Sequence, residues 1–158
     1  MASEEGGDTF SAVSVARATL AAATTGALAT LGADGAPFAS LALIATDAPG
    51  DIVLLLSQLA VHTGNLAADP RASLLVVAPG GENGNALAGA RLTLSGGVDR
   101  AVDADGQARF LARHPEARRY ASFGDFGFWR LRIASAHLVA GFGRIADIAG
   151  SELSGVTP

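Results

Sequence analysis

Five small polar side chains crowd into "LSQLAVHTGNLAADPRASLLV", Leu56 to Val76: Ser57, Gln58, His62, Thr63 and Asn65. The residues around them are mostly Ala, Leu and Val. An apolar, strand-like run precedes the group and another follows it. Hydroxyls, an imidazole and amides at the start of a helix suit one chemistry well, the holding of an anion. A helix N-terminus adds free N–H groups and a favourable dipole. A plainer account is helix capping, with Thr63 as N-cap, Ser57 closing a turn and Asn65 in solvent. Spacing alone leaves both open.

Other chemistry-bearing residues are sparse. Arg91 stands mid-strand between apolar neighbours, where a charge needs a partner, either a carboxylate or an anionic ligand. Asp125, in "SFGDFGF", either closes a turn or pairs with an Arg. His114 and His137 read as structural. The three His have no metal-pair spacing, so no metal site is expected. No phosphate loop, nucleophile elbow or dinucleotide fingerprint is present. There is no Cys, which removes disulfides and thiolate chemistry. All 11 basic residues are Arg, so no side-chain amine can form a Schiff base.

The elements that must position these groups follow from periodicity. Met1 to Gly7, and with it Asp8, reads as a flexible leader (1–8). Asp8 or Thr9 caps a helix running to about Ala22. Asp34-Gly35 marks a hairpin between Gly26–Leu31 and Pro37–Thr46. "IVLLLS" is apolar on both faces and predicts a strand covered on both sides. Thr63 to Ala68 forms a short helix ended by Asp69-Pro70. "RASLLVVAP" is a fourth strand, "GGENGN" a flexible tip, and "ALAGARLTLSGGVDRAV" a fifth strand bent at Gly96-Gly97. A helical pair broken at His114-Pro115 follows. One long final strand, "FWRLRIASAHLVAGFGRI", opposes Trp129, Leu131 and Ile133 to Arg130 and Arg132. Residues 149–158 read as a flexible tail.

The chain of 158 residues suits a single domain, 1–158, with a sizeable core. Its hydrophobic share is 49%, which points to one more covered apolar surface, most simply a second copy of the chain. No apolar run reaches the ~20 residues of a membrane span. The acidic start lacks the pattern of a secretory signal, so a cytoplasmic location is expected. Net charge is -4 and aromatics do not interleave with the Arg, which argues against nucleic-acid binding. Adjoining strands with few helices predict a mainly β protein with flanking helices (α+β), an antiparallel barrel.

Four stretches taken in order carry a resemblance: "LLLSQLAVHTGNLAADPRASLLV", "LAGARLTLSG", "RHPEARRYASFGDFGFWRL" and "LVAGFGRI". They resemble the pyridoxamine 5'-phosphate oxidase-related FMN-binding split barrels, and within them the HugZ/HutZ-like heme-utilization branch. The resemblance spans about Leu20 to Ile148. It implies a six-stranded antiparallel split barrel forming a homodimer, with a small-molecule site at the interface. It implies FMN as cofactor and a flavin-dependent oxidoreductase of unknown substrate; the alternative is a heme-binding protein. The FMN phosphate would meet Ser57, Gln58, His62, Thr63 and Asn65. Ser40 would line the same groove, Arg91 would add charge, and the backbone along Phe38–Leu43 would meet the ring. Positions like His62, Arg91 and Asp125 lie near the heme in the heme-binding branch. That branch takes its axial His from near the C-terminus, and no His follows His137 here.

Overall fold

The structure is a computed structural model that describes residues 10–80 and 84–155. Among these residues it has seven strands: β1 (Thr25–Leu31), β2 (Pro37–Thr46), β3 (Ile52–Ser57), β4 (Arg71–Val77), β5 (Arg91–Asp99), β6 (Phe126–Val139) and β7 (Ile145–Ala149). Three α-helices join them: α1 (Ala12–Ala22), α2 (Val61–Ala68) and α3 (Ala104–Arg113). The strands run in the order β3-β2-β1-β4-β5-β6-β7, and β3 also pairs with β6. That pairing closes six antiparallel strands into a barrel and leaves β7 outside on the edge of β6. The expected split-barrel class is the observed one.

Alternation explains the core. Ala42 and Ile44 of β2, and Ile52, Leu54 and Leu56 of β3, fill the barrel interior with Leu28, Leu74, Leu92 and Leu94. The odd positions of β3 point outward, yet Val53 and Leu55 are also buried. They pack with Ala45, Phe110 and Ala117, under α3 and the 3-10 turn Pro115–Arg119. "IVLLLS" is therefore apolar on both faces because both are covered.

Local chemistry sets the boundaries. The β1–β2 hairpin turns at Gly35, φ 79°, with the Ala36 N–H donating to Asp34 Oδ1 at 3.0 Å. Ser11 caps α1; the expected caps Asp8 and Thr9, like the 1–8 leader, lie outside the described residues. Asp103 caps α3 by accepting the Gly106 N–H at 2.8 Å. Helix α2 begins at Val61 behind Ala60, two residues earlier than expected, and Thr63 is not its cap.

Two expectations at the end of the chain need correction. The single long last strand is two strands, because the chain reverses through Gly141 and Gly143, both at positive φ, into β7. Residues from 149 onward are not all tail: Gly150–Leu153 form a 3-10 turn with Leu153 fully buried. Arg17 of α1 holds this turn by donating to the Glu152 carbonyl at 2.8 Å.

The expected bend at Gly96 is a β-bulge. Ser95 pairs with Ser135 but Gly96 pairs with Ile133, so Ala134 has no opposite number. The extra residue switches which face of β6 looks inward. Before it Trp129 and Leu131 are buried; after it Ala136 and Leu138 are. A Cβ on Gly96 would fall on the Arg132 carbonyl, and one on Gly150 would fall on the Ile133 carbonyl. Glycines on both sides let the bulge close.

Arg130, opposed to the buried Trp129 and Leu131, is itself buried. Its Nε lies 2.8 Å from Asp47 Oδ2, off the N–H axis, so the contact is an ion pair rather than an aligned hydrogen bond. Asp47 Oδ1 accepts the Gly50 and Asp51 N–H groups in the β2–β3 turn. Burial holds the Asp47 carboxyl above its ordinary 3.8, against the pull of the Asp51 N–H and Arg130.

Gly96→Ala is expected to destabilise the fold by about 3 kcal/mol, the upper end for overpacking. Gly97→Ala should change stability by less than about 0.5 kcal/mol, because a Cβ there meets nothing within 4 Å. Urea unfolding of the two variants makes the comparison; equal losses would remove the bulge as the cause.

Candidate functional site

The β3–β6 pairing sets Ser57 opposite Phe126, so Asp125 comes beside Ser57 although 68 residues separate them. Ser57 Oγ donates to Asp125 Oδ2 at 3.2 Å and accepts the Leu59 N–H at the same distance. The Gln58 N–H donates to the Asp125 carbonyl at 2.6 Å. Thr63, buried in the first turn of α2, donates through Oγ1 to the Ser57 carbonyl at 2.6 Å. Asn65 donates through Nδ2 to Thr30 Oγ1 on β1 at 3.0 Å and is not simply solvated. These bonds pin the junction between β3 and α2 against β1 and β6.

His62 is placed differently. Its Nδ1 lies 2.9 Å from Ser40 Oγ on β2, and Nε2 makes no hydrogen bond among the described residues. Partial burial holds the imidazole below its ordinary 6.5, so the ring is neutral at neutral pH. It lines a groove of about 320 Å³ with Leu41, Leu43, Leu55, Ser57, Tyr120 and Phe126. The Tyr120 and Phe126 rings meet at 4.8 Å between centroids, tilted by 47°, and form one wall. The opposite wall is the outer face of β2. There the layer of α3 stops short, and Leu41 is left 75% exposed.

The expected residues therefore separate into groups. Ser40, Ser57 and His62 gather at the groove with Asp125 behind them. Thr63 and Asn65 brace the helix. The Gln58 side chain is exposed beside the junction and makes no hydrogen bond among the described residues. Arg91 is elsewhere: its Nη1 donates to the Leu87 carbonyl at 2.6 Å, and it lines a separate recess of about 550 Å³ with Asn85, Ala88, Gly141 and Phe142. Tyr120 and Phe126 escaped the sequence reading, which named only the backbone of β2 along Phe38–Leu43 and not its leucine side chains. Leu41 and Leu43 lie on the outer face of β2, and no local signal in the sequence says that face is uncovered. Among the described residues no cluster of three or more His, Asp or Glu could hold a bare metal ion. No described helix is long and apolar enough to cross a membrane.

This geometry has relatives. A family described as CREG, beta-barrel, matches residues 8–154. The chain belongs to that family. Within this fold, a heme-binding protein from Mycobacterium smegmatis superposes with a TM-score of 0.85 at 37% identity, covering 91% of this chain and 60% of the other. The chloroplastic heme oxygenase HOZ of Arabidopsis thaliana is 36% identical over 111 residues, 68% of this chain. The chain spans only 33% of that protein's length. HutZ, described as a heme storage protein from Vibrio cholerae, shares the fold at a TM-score of 0.59 and 20% identity, over 89% of this chain and 93% of that one. The split-barrel family resemblance read from the sequence is thus the family found.

The neutral state of His62 has a consequence for stability. Above 6.5 the ring is neutral in both the folded and unfolded chain; below that value the unfolded ring protonates first. Stability is therefore fully present above that pH and is lost as pH falls toward the depressed folded value. In the NMR titration of the ring protons His62 should show a midpoint below 6.5. Wild type should also lose stability relative to His62→Ala between about pH 7 and pH 5. A midpoint at or above the ordinary value would contradict the assignment.

Proposed function

We propose that the chain binds heme in the β2–β3 groove and does so as a homodimer. The observation that carries this reading is the groove's chemistry: leucines and an aromatic pair line a slot whose polar atoms without a hydrogen bond among the described residues include a neutral imidazole nitrogen. A tetrapyrrole needs apolar walls for its macrocycle and a donor for its iron. The M. smegmatis and Arabidopsis relatives, a heme-binding protein and a heme oxygenase by name, support the same ligand.

The groove fits FMN less well. A flavin phosphate needs unengaged donors. Ser57 and Thr63 already donate to protein oxygens, and the Asp125 carboxylate stands beside Ser57. No Arg lines the groove. A phosphate there would meet a like charge with no guanidinium to offset it.

The volume supports a dimer. A groove of about 320 Å³ covers part of a tetrapyrrole, since small-molecule sites run to roughly 1,000 Å³. The rest needs a second wall. Leu41 and Leu75 stand exposed on the outer face of β2, β1 and β4, in register through Ala27. Two such faces packed by a two-fold axis would hide them and enclose the ligand between protomers. The chain's residues would then hold the macrocycle between Leu43, Leu55 and the Tyr120–Phe126 wall and limit water at its face. A bound heme supplies the redox-active iron.

Hemin titration followed at the Soret band should saturate near one heme per protomer, and FMN should show no quenching of its fluorescence. Leu41→Arg should shift the protein to monomer in light scattering and weaken hemin binding at least tenfold. Tight FMN binding with no hemin binding would reverse the reading.

A further inference from the structure

We propose that Arg118 and Arg119, with Phe123 beside them, form the docking surface for a small acidic electron-carrier protein that reduces the iron of a heme held in the neighbouring groove. This rests on the heme reading above and goes beyond it, because a heme can be held without a protein that reduces it.

All 11 basic residues of this chain are arginines, in a protein of net charge -4. Almost all of them are committed. Four pair with aspartates, three donate to backbone carbonyls and two lie over aromatic rings. Among the described residues, only Arg118 and Arg119 have neither an acceptor nor a ring partner. They are neighbours at the end of the 3-10 turn Pro115–Arg119. Ala117 anchors that turn in the core, and both arginines are exposed. The turn's own carboxylate leans toward His114 instead, with Glu116 Oε1 3.7 Å from Nδ1. Adjacent like charges repel, and an anionic partner relieves that repulsion.

Position ties the pair to the groove. Tyr120, the next residue, walls the groove with Phe126. The Phe123 N–H donates to the Tyr120 carbonyl at 2.9 Å, and Phe123 is 56% exposed. Arg and Phe are side chains that protein interfaces favour. The surface therefore stands behind the aromatic wall, across the groove from Leu41 and the face proposed for the dimer.

Size narrows the partner. Two arginines and one phenylalanine make a small contact, and weak electron-transfer encounters bury the least surface, under about 1,200 Å². Charge in such encounters steers arrival rather than holding a lasting complex. A second copy of the chain fits worse, because a two-fold contact here would set these arginines against themselves. In the transfer the carrier's reduced centre gives up one electron and ferric iron becomes ferrous. No bond forms or breaks.

The test uses the full chain, apo and loaded with hemin, with an acidic plant-type iron–sulfur ferredoxin as the carrier. Amide NMR of the apo chain titrated with oxidised ferredoxin should show shifts at 115–125 that fade as salt is raised. In anaerobic stopped flow at low ionic strength, Arg118→Glu with Arg119→Glu should slow reduction of the hemin-loaded chain by ferredoxin about tenfold or more. Arg118→Lys with Arg119→Lys should keep most of the rate, since steering needs the charge and not the guanidinium. Neither variant should change hemin affinity, thermal unfolding, or reduction by photoreduced deazariboflavin, a small uncharged reductant. Arg118→Ala with Arg119→Ala serves if the charge reversal folds poorly. Absence of shifts at 115–125, or a wild-type ferredoxin rate in the folded variant, overturns the docking surface and leaves the heme reading standing. Equal slowing with deazariboflavin, or weaker hemin binding, assigns the arginines to the groove and also overturns it. Arginine-dependent binding to phosphatidylglycerol vesicles without ferredoxin shifts makes the surface a lipid contact, which overturns it too. Failure of wild type to bind hemin overturns the heme reading itself, and the reduction of its iron at this surface with it.

Discussion

The closure of the barrel by β3 on β6 is the constraint on which the rest depends. Six pairs, from Ile52 opposite Leu131 to Ser57 opposite Phe126, convert an open sheet into a barrel. The same register puts Asp125 against Ser57 and Phe126 beside the outer face of β3. The groove is thus a by-product of closure. A shift of one residue would turn Phe126 away and break the Ser57–Asp125 bond. Closure in turn needs β6 to bend from β3 toward β5 and β7, and the bulge at Ala134, flanked by Gly96 and Gly150, supplies that bend.

The buried Asp47–Arg130 pair works at the other end of the same strands. Asp47 orders the β2–β3 turn through two backbone N–H groups, and Arg130 opposes it from β6. Removing either member would leave a buried charge without its partner. The turn that starts β3 and the strand that closes on β3 are therefore linked electrostatically as well as by the ladder. The junction after β3 is held differently, by neutral hydroxyls and an amide. Those groups satisfy one another, and that leaves His62 with its free nitrogen.

Much of the fold was legible in the sequence because its signals are local. Asp34-Gly35 can turn tightly, so the first hairpin was placed to within one residue, Thr25 rather than Gly26 at the start of β1. The two-faced apolar run of β3 demanded cover on both sides and has it. Gly96-Gly97 marked a bend. The last strand was misread because nothing in "LVAGFGRI" distinguishes a reversal from a continuing strand without the positive φ at Gly141 and Gly143. The tail was misread because the turn is held from far away in the sequence: Arg17 donates to the Glu152 carbonyl 135 residues on, and Leu153 packs into the barrel's core cluster.

For the site, the sequence by itself determined which polar groups exist and that they cluster at one strand-to-helix junction. It also determined what is missing, since a chain without Lys or Cys must hold an anion with Arg, His, hydroxyls or backbone N–H groups and has no thiolate for a metal. Tertiary structure decided which of those groups are free. A hydroxyl's availability depends on its nearest acceptor, and for Ser57 and Thr63 those acceptors are fixed by barrel closure and the first turn of α2. Arg91 was separated from the cluster by the order of strands, which no spacing reveals. The apolar wall of Tyr120 and Phe126 exists because distant strands meet there, and that meeting is a property of the closed sheet.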